Sequence, residues 1–289
     1  MNYKGLATKI FGGFVDRYLG KFSFLKDVLP KAGIMVSLRT YLSIIFLSTV
    51  FVYISSLIGV VVVLSFFEFS LFLRIAYILF VPFLISAAAF IIFTLYPMQR
   101  MLGRAKGIEV NLPFVLTHMG AIAQSGVPPY IVFKLISQFE EYGEVANEMK
   151  KIVRNIEVFG MDPVSAVKEV AKRTPSESLK QVLLGFVSTT ESGGDIRLYL
   201  RNAGEQALFE WKLKREKFLQ QLSAYAEFYT GILIAAPLFL IALFAIMNMI
   251  QPRLAGFDIF FLTRLSVYLI IPAINLGFLL FLRGVEVEM

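Results

Sequence analysis

The chain contains no cysteine, which excludes disulfides, thiolate metal sites and cysteine nucleophiles and leaves the redox compartment open. Histidine is nearly absent. The one copy, His118, has no second histidine at metal-ligand spacing, so no zinc site follows and the residue is read as helix surface or core. Charge is scarce as well: 17% of the 289 residues are Asp, Glu, Lys or Arg, against roughly 25% in ordinary soluble domains, and 57% are apolar. Membrane residence is therefore the first expectation. No glycine-rich phosphate loop ends in Gly-Lys-Ser or Gly-Lys-Thr, so the chain shows no means of hydrolysing nucleotide, and any energy must come from a partner. The net charge of +7 has no nucleic-acid motif beside it. A membrane protein gathers Lys and Arg on one face for topogenic reasons, and no nucleic-acid partner is expected.

What the chain has in quantity is long apolar runs. A transmembrane helix needs about 20 mostly apolar residues to cross a hydrocarbon core of roughly 30 Å. Four segments qualify: Tyr41 to Phe67, Ile75 to Tyr96, Phe228 to Ile250 and Leu265 to Leu282. Glu68 and Arg74 separate the first two, and Pro252, Arg253 and Asp258 separate the last two, which predicts two helical hairpins. No Asp, Glu, Lys, Arg or His lies in the four apolar cores, which disfavours a proton relay, an ion pathway or an intramembrane aspartyl protease. The serines there have no histidine or lysine partner for nucleophilic chemistry. Pro82, Pro237 and Pro272 can either kink helices for a gate or be accommodated by neighbouring helices.

Residues 1–39 carry seven basic residues against Asp16 and Asp27, too charged and too long for the n-region of a signal peptide, so no cleavage is expected. Arg100, Arg104 and Lys106 follow the second span, and Lys212, Lys214, Arg215 and Lys217 precede the third. Arg74, Arg253 and Arg264 fall opposite. The positive-inside rule then puts both termini and the middle section in the cytoplasm of a multi-pass cell-membrane protein. Ile10, Phe11, Phe14, Tyr18, Phe22 and Leu25 recur at spacings of three or four, interleaved with Lys9, Arg17, Lys21 and Lys26. This pattern suits either an interfacial amphipathic helix or one packed on the protein's own cytoplasmic domain.

The section from 97 to 227 reads as helices throughout. Asn111 is expected to cap a helix ending at Gly126, Pro128 and Pro129 open the next, and a third, led in by Glu140 and Glu144, ends at Gly160. Asp162-Pro163 supplies an N-cap and a first helical proline, and Thr174, Pro175 and Glu177 form a capping box. A fifth helix runs to about Ser192, Gly193 and Gly194 terminate it, and Asp195 caps a sixth that has no breaker before Gly231 and so passes into the third span. The predicted fold is all-α: two transmembrane hairpins, 40–96 and 228–282, flank a cytoplasmic antiparallel six-helix bundle at 97–227, with an N-terminal basic amphipathic segment at 1–39 and a tail at 283–289.

No residue must be catalytic, and no cofactor or metal is assigned. Glu191, Gly193, Gly194 and Asp195 form an acid-bracketed bend at a tip of the helical section, suited to a partner or simply to a helix ending and cap. The cluster Lys212, Lys214, Arg215 and Lys217 suits topogenic charge, anionic lipid or a partner.

Three stretches, Gly160-Met161-Asp162-Pro163-Val164-Ser165-Ala166-Val167, Arg173-Thr174-Pro175 and Glu191-Ser192-Gly193-Gly194-Asp195, resemble the type II secretion F domain over roughly residues 110 to 250. Two spans before and two after the domain, and Leu29-Pro30-Lys31-Ala32-Gly33-Ile34 ahead of the first, are similar to Tad-type and archaeal versions. The resemblance implies a non-enzymatic platform under a type IV pilus-like or archaellum-like filament, contacting a hexameric secretion ATPase and pilin-like subunits. It makes Glu191 and Asp195 candidate ATPase contacts and the basic cluster a weaker one. Classical members carry two F domains, so one copy here implies a homodimer or pairing with a second F-domain protein. The competing classes are a transporter or channel subunit with a cytoplasmic regulatory helical domain, and a lipid-bound regulatory scaffold without a filament.

Overall fold

The computed structural model describes residues 3–66, 70–251, 253–254 and 257–286, so Phe67, Glu68 and Pro252, expected at a span end and at turns, lie outside the described residues. Those residues are helical apart from short connections and one two-residue antiparallel ladder, in which Arg253 faces Asp258 and Leu254 faces Phe257. Four helical stretches are long and apolar enough to cross a membrane: Leu38–Ser65, Leu71–Gln124, Ile196–Ile250 and Ile259–Gly284. The chain divides into two compact units, Met1–Phe209 and Glu210–Met289.

The first unit begins with α1 (Tyr3–Asp16) and α2 (Phe24–Lys31), followed by α3 (Leu38–Ser65), which Ser37 caps by accepting the Thr40 amide. The next helix, α4, spans Leu71–Gln124, about 81 Å at the helical rise. Three prolines lie inside α4, at 82, 97 and 113. A proline inside a helix leaves the carbonyl four residues earlier without its helical donor. For Pro97 that carbonyl belongs to Phe93, and the Tyr41 hydroxyl of α3 donates to it at 2.9 Å. The backbone runs unbroken through 97, where sequence placed the start of the helical domain. It also runs through Asn111, which is not a cap. Its side-chain amide instead points to the carbonyls of Gly107 and Tyr142.

Beyond α4 come α5 (Pro129–Gln138), α6 (Gly143–Glu157), α7 (Pro163–Arg173), α8 (Glu177–Glu191) and α9 (Ile196–Phe228). One apolar core is drawn from the second half of α4, from α5 to α8 and from the first turns of α9, with Leu116, Met119, Phe133, Ile152, Leu183 and Leu200 among its buried members. Asp162 caps α7 as expected, accepting from the Ser165 amide at 2.9 Å. The capping box does not form. Thr174 ends α7, and Ser176 caps α8 by accepting the Leu179 amide at 3.2 Å, because Pro175 spends one residue turning the chain.

The amphipathic N-terminal helix takes neither of its two expected positions alone. It packs on α3: Val15, Leu25, Leu42 and Ile45 form a second small core, Phe46 meets Phe11 and Phe14, and the Tyr3 hydroxyl bonds Ser48 at 2.9 Å.

In the second unit, the last part of α9 leads through a π-helical turn, Tyr229–Ala235, into α10 (Ala236–Ile250). After the ladder, α11 (Ile259–Leu265), capped by Asp258, leads through another π-helical turn, Ser266–Ile270, into α12 (Ile271–Glu286). Pro237 and Pro272 each stand just after a widened turn, which makes room for a proline ring that would otherwise meet the carbonyl one turn back. Phe278 stacks beside Phe228 and Tyr229, and the Tyr229 hydroxyl donates to Asn275 Oδ1 at 3.2 Å.

Candidate partner-binding site

The α8–α9 connection is built by residues that local chemistry selects. Gly193 holds a positive φ of 70°, which closes α8 without the penalty a Cβ would bring, and its successor Gly194 returns its amide to the Thr189 carbonyl at 2.8 Å. Asp195 then accepts the Arg197 amide at 2.9 Å and the Leu198 amide at 3.4 Å. These backbone donors, Arg197 first, hold the Asp195 carboxyl below its ordinary value, and the Arg197 guanidinium lies 3.4 Å from the same oxygen, so the exposed carboxylate is ionised and paired at neutral pH.

Facing this turn is the α4–α5 connection, where Gly126 has a φ of 80° and Pro128 and Pro129 start α5. The two turns line an open cleft of about 450 Å³, with Gly126, Val127 and Pro128 on one side and Gly194, Asp195 and Arg197 on the other. Of the four residues expected at the site, Gly193, Gly194 and Asp195 reach the cleft wall. Glu191 is not part of that lining; it lies on the last turn of α8, half-exposed, 3.9 Å from Lys168 of α7. The weaker candidates Lys212, Lys214, Arg215 and Lys217 are all exposed on α9 in the second unit, with the Arg215 guanidinium 5.4 Å from the centre of the Trp211 ring.

Two further features escaped the sequence reading. At the crossing of α4 and α9, a Cβ on Gly204 would come within 2.9 Å of Leu116 O and Thr117 Cα, and one on Gly120 within 3.1 Å of Arg201 Cα. Two helix backbones therefore touch through a glycine from each side, directly behind the cleft. The signal available in the sequence was glycine in mid-helix positions, where it costs about 1 kcal/mol against alanine and so calls for a packing reason.

The other feature is charged. Glu148 is fully buried in α6, and Arg104 of α4 donates to it at 2.6 Å, to Glu144 at 2.8 Å and to the Lys31 carbonyl at 2.6 Å. Lys151 adds a bond to the same Glu148 oxygen at 2.8 Å, while Oε2 finds no partner among the described residues. Sequence reading treated Arg104 only as a topogenic charge. The detectable clue was Glu148 itself, an acid three residues after Val145 and four before Ile152, inside the apolar stripe of α6. His118 lies with its Nδ1 2.9 Å from the Tyr142 hydroxyl and its ring packed against Phe139. Among the described residues no group of three His, Cys, Asp or Glu could hold a metal ion.

Residues 115–244 match the family model described as type II secretion system, protein F, and this stretch runs from α4 through the helical core and α9 into α10. The matched stretch is thus similar to the type II secretion F domain, the class to which the sequence resemblance pointed. Among its relatives is flagella accessory protein J of Methanocaldococcus jannaschii, 24% identical over 243 residues that make up 84% of this chain and 40% of that protein. The protein of the same name from Methanococcus voltae is 23% identical over 177 residues, 61% of this chain and 30% of the relative. An uncharacterised Methanocaldococcus jannaschii protein is 25% identical over 194 residues, 66% of this chain and 33% of its own length. The chain therefore spans between 30% and 40% of these three relatives. No solved structure matches it. Four membrane-length apolar helices, together with the match to the F-domain family, point to a multi-pass membrane protein.

Proposed function

We propose that this chain is a cell-membrane platform protein of a type IV pilus- or archaellum-like machine, coupling a cytoplasmic hexameric ATPase to the assembly of pilin-like subunits. In this reading both termini face the cytoplasm, and two transmembrane hairpins flank a cytoplasmic antiparallel six-helix bundle. The protein performs no chemistry of its own. It acts as a homodimer or beside a second F-domain protein.

The observation that carries the reading is the F-domain match over residues 115–244, which takes in both the helical core and the helix leading from it into an apolar segment. A partner that displaced the α8–α9 turn would push on α9, whose backbone contact with α4 through Gly120 and Gly204 leaves little slack in that part of the helix. Asp195, with its charge fixed by two amides, and Glu191 on the adjoining helix end are the proposed ATPase contacts. The basic residues at 212 to 217 are a second, weaker contact.

Pull-down of the partner ATPase by the detergent-solubilised full chain tests this, with wild type compared with Glu191→Lys and Asp195→Lys at fixed salt. Capture by wild type and loss in both variants supports the contact. A well-folded wild type that captures no ATPase contradicts the partnership.

A further inference from the structure

The N-terminal helices hold a position relative to the bilayer that can be read from α3 and α4. α3 ends at Ser65 and α4 begins at Leu71. A hydrocarbon core of roughly 30 Å takes up about 20 helical residues, so counting back along α3 and forward along α4 from these ends reaches the far boundary near Phe46 and near Phe90. These two rings lie 5.6 Å apart. Phe11 and Phe14 of α1 meet Phe46, and Phe22 meets Phe90 at 6.2 Å, so the N-terminal segment packs on the two spans where they reach that boundary. From there α1 runs beside α3 from Ser48, bonded by Tyr3, to Arg39, paired with Asp16 at 2.9 Å. In the proposed orientation, α1 and α2 thus lie at the cytoplasmic membrane surface.

Their outward face carries both halves of a lipid-binding surface. Lys9, Arg17, Lys21 and Lys26 are exposed, against two acids, Asp16, which Arg39 neutralises, and Asp27. Ile10, Phe14 and Phe24 stand exposed among them at 59%, 48% and 48%, although α1 and α2 already bury their other faces in the small core around Leu25. Apolar side chains left outside a packed helix at headgroup depth have acyl chains within reach, and cations beside them have lipid phosphates.

We propose that α1 and α2 form an anionic-phospholipid site, in which Lys9, Arg17, Lys21 and Lys26 bind headgroup phosphates and Ile10, Phe14 and Phe24 enter the acyl boundary. The site rests on the membrane reading and is independent of the ATPase partnership.

The test uses the full chain in mixed micelles containing phosphatidylglycerol and phosphatidylcholine, with retained lipids counted by native mass spectrometry. Wild type should retain phosphatidylglycerol in preference to phosphatidylcholine, and the combined Lys9→Gln, Arg17→Gln, Lys21→Gln, Lys26→Gln variant should lose this preference by about tenfold after salt screening. The charge-conserving Lys9→Arg, Lys21→Arg, Lys26→Arg variant should keep it, and millimolar inorganic phosphate should not displace the lipid. If the fourfold variant aggregates, the pairs Lys9→Gln with Arg17→Gln and Lys21→Gln with Lys26→Gln are read separately, each expected to show a partial loss. Undiminished preference in the glutamine variants, equal loss in the arginine variant, or displacement by free phosphate would each overturn the proposal, the last by making the ligand a soluble anion.

Discussion

At the scale of single residues, the most consequential side chain is Arg104, which joins the end of α2, α4 and α6 through Lys31, Glu144 and Glu148. Removing one partner of a buried ion pair can cost about 3–5 kcal/mol, and Lys151, still 2.8 Å from Glu148, offsets part of that loss here. Arg104→Met should therefore lower the unfolding midpoint of the purified chain markedly, and Arg104→Met combined with Glu148→Met should recover much of the loss. A double variant no better than the single one would mean that the pair is not the source of the cost. Asp162 and Asp195 make a different prediction. Backbone amides lower both carboxyl groups, Ser165 chiefly at the first and Arg197 at the second. A lowered folded value means that the stabilisation is present above the ordinary carboxylate range and is lost as pH falls through the folded value. Amide exchange at Ser165, Arg197 and Leu198 should accelerate in step on acidification below about pH 4, beyond the intrinsic pH trend, with Asp195→Asn abolishing that step at the α9 end.

Among the elements, α4 and α9 carry the argument. Gly204→Ala forces a methyl against the backbone of α4, and overpacking of this kind costs about 1–3 kcal/mol. Faster hydrogen exchange in the first turns of α9, with α5 and α6 unchanged, is the expected outcome; protection unchanged everywhere would show that the crossing has room. These elements also show how far the sequence can be read. Spans, the Asp162 and Asp195 caps and the glycine turn were legible because each rests on local chemistry: apolar length, a side-chain acceptor, a positive φ. The start of the helical core was not legible. Pro97 and Asn111 look like punctuation, but α4 runs through both, and at Pro97 the freed Phe93 carbonyl is satisfied by Tyr41, 52 residues away in sequence. The cap of α8 was misplaced for a smaller reason, since Thr174 and Ser176 both suit the role and only the path through Pro175 selects between them. Glu148 stayed hidden because its partner Arg104 lies 44 residues away in sequence.

For the whole molecule, orientation comes first. The absence of cysteine allows single replacements as clean reporters. Ser70→Cys, just before α4, should react with an impermeant maleimide in intact cells, and Ser192→Cys in the α8–α9 turn only after lysis. The reverse pattern would place the F domain outside and exclude a cytoplasmic ATPase. The platform role itself is tested most directly in the host cell, by deleting the gene and counting surface filaments by electron microscopy, with wild-type and Asp195→Lys copies restored in turn. The account predicts that filaments vanish on deletion, return with the wild-type copy and fail to return with a membrane-inserted Asp195→Lys copy. Filaments of normal number and length in the deletion strain would contradict it.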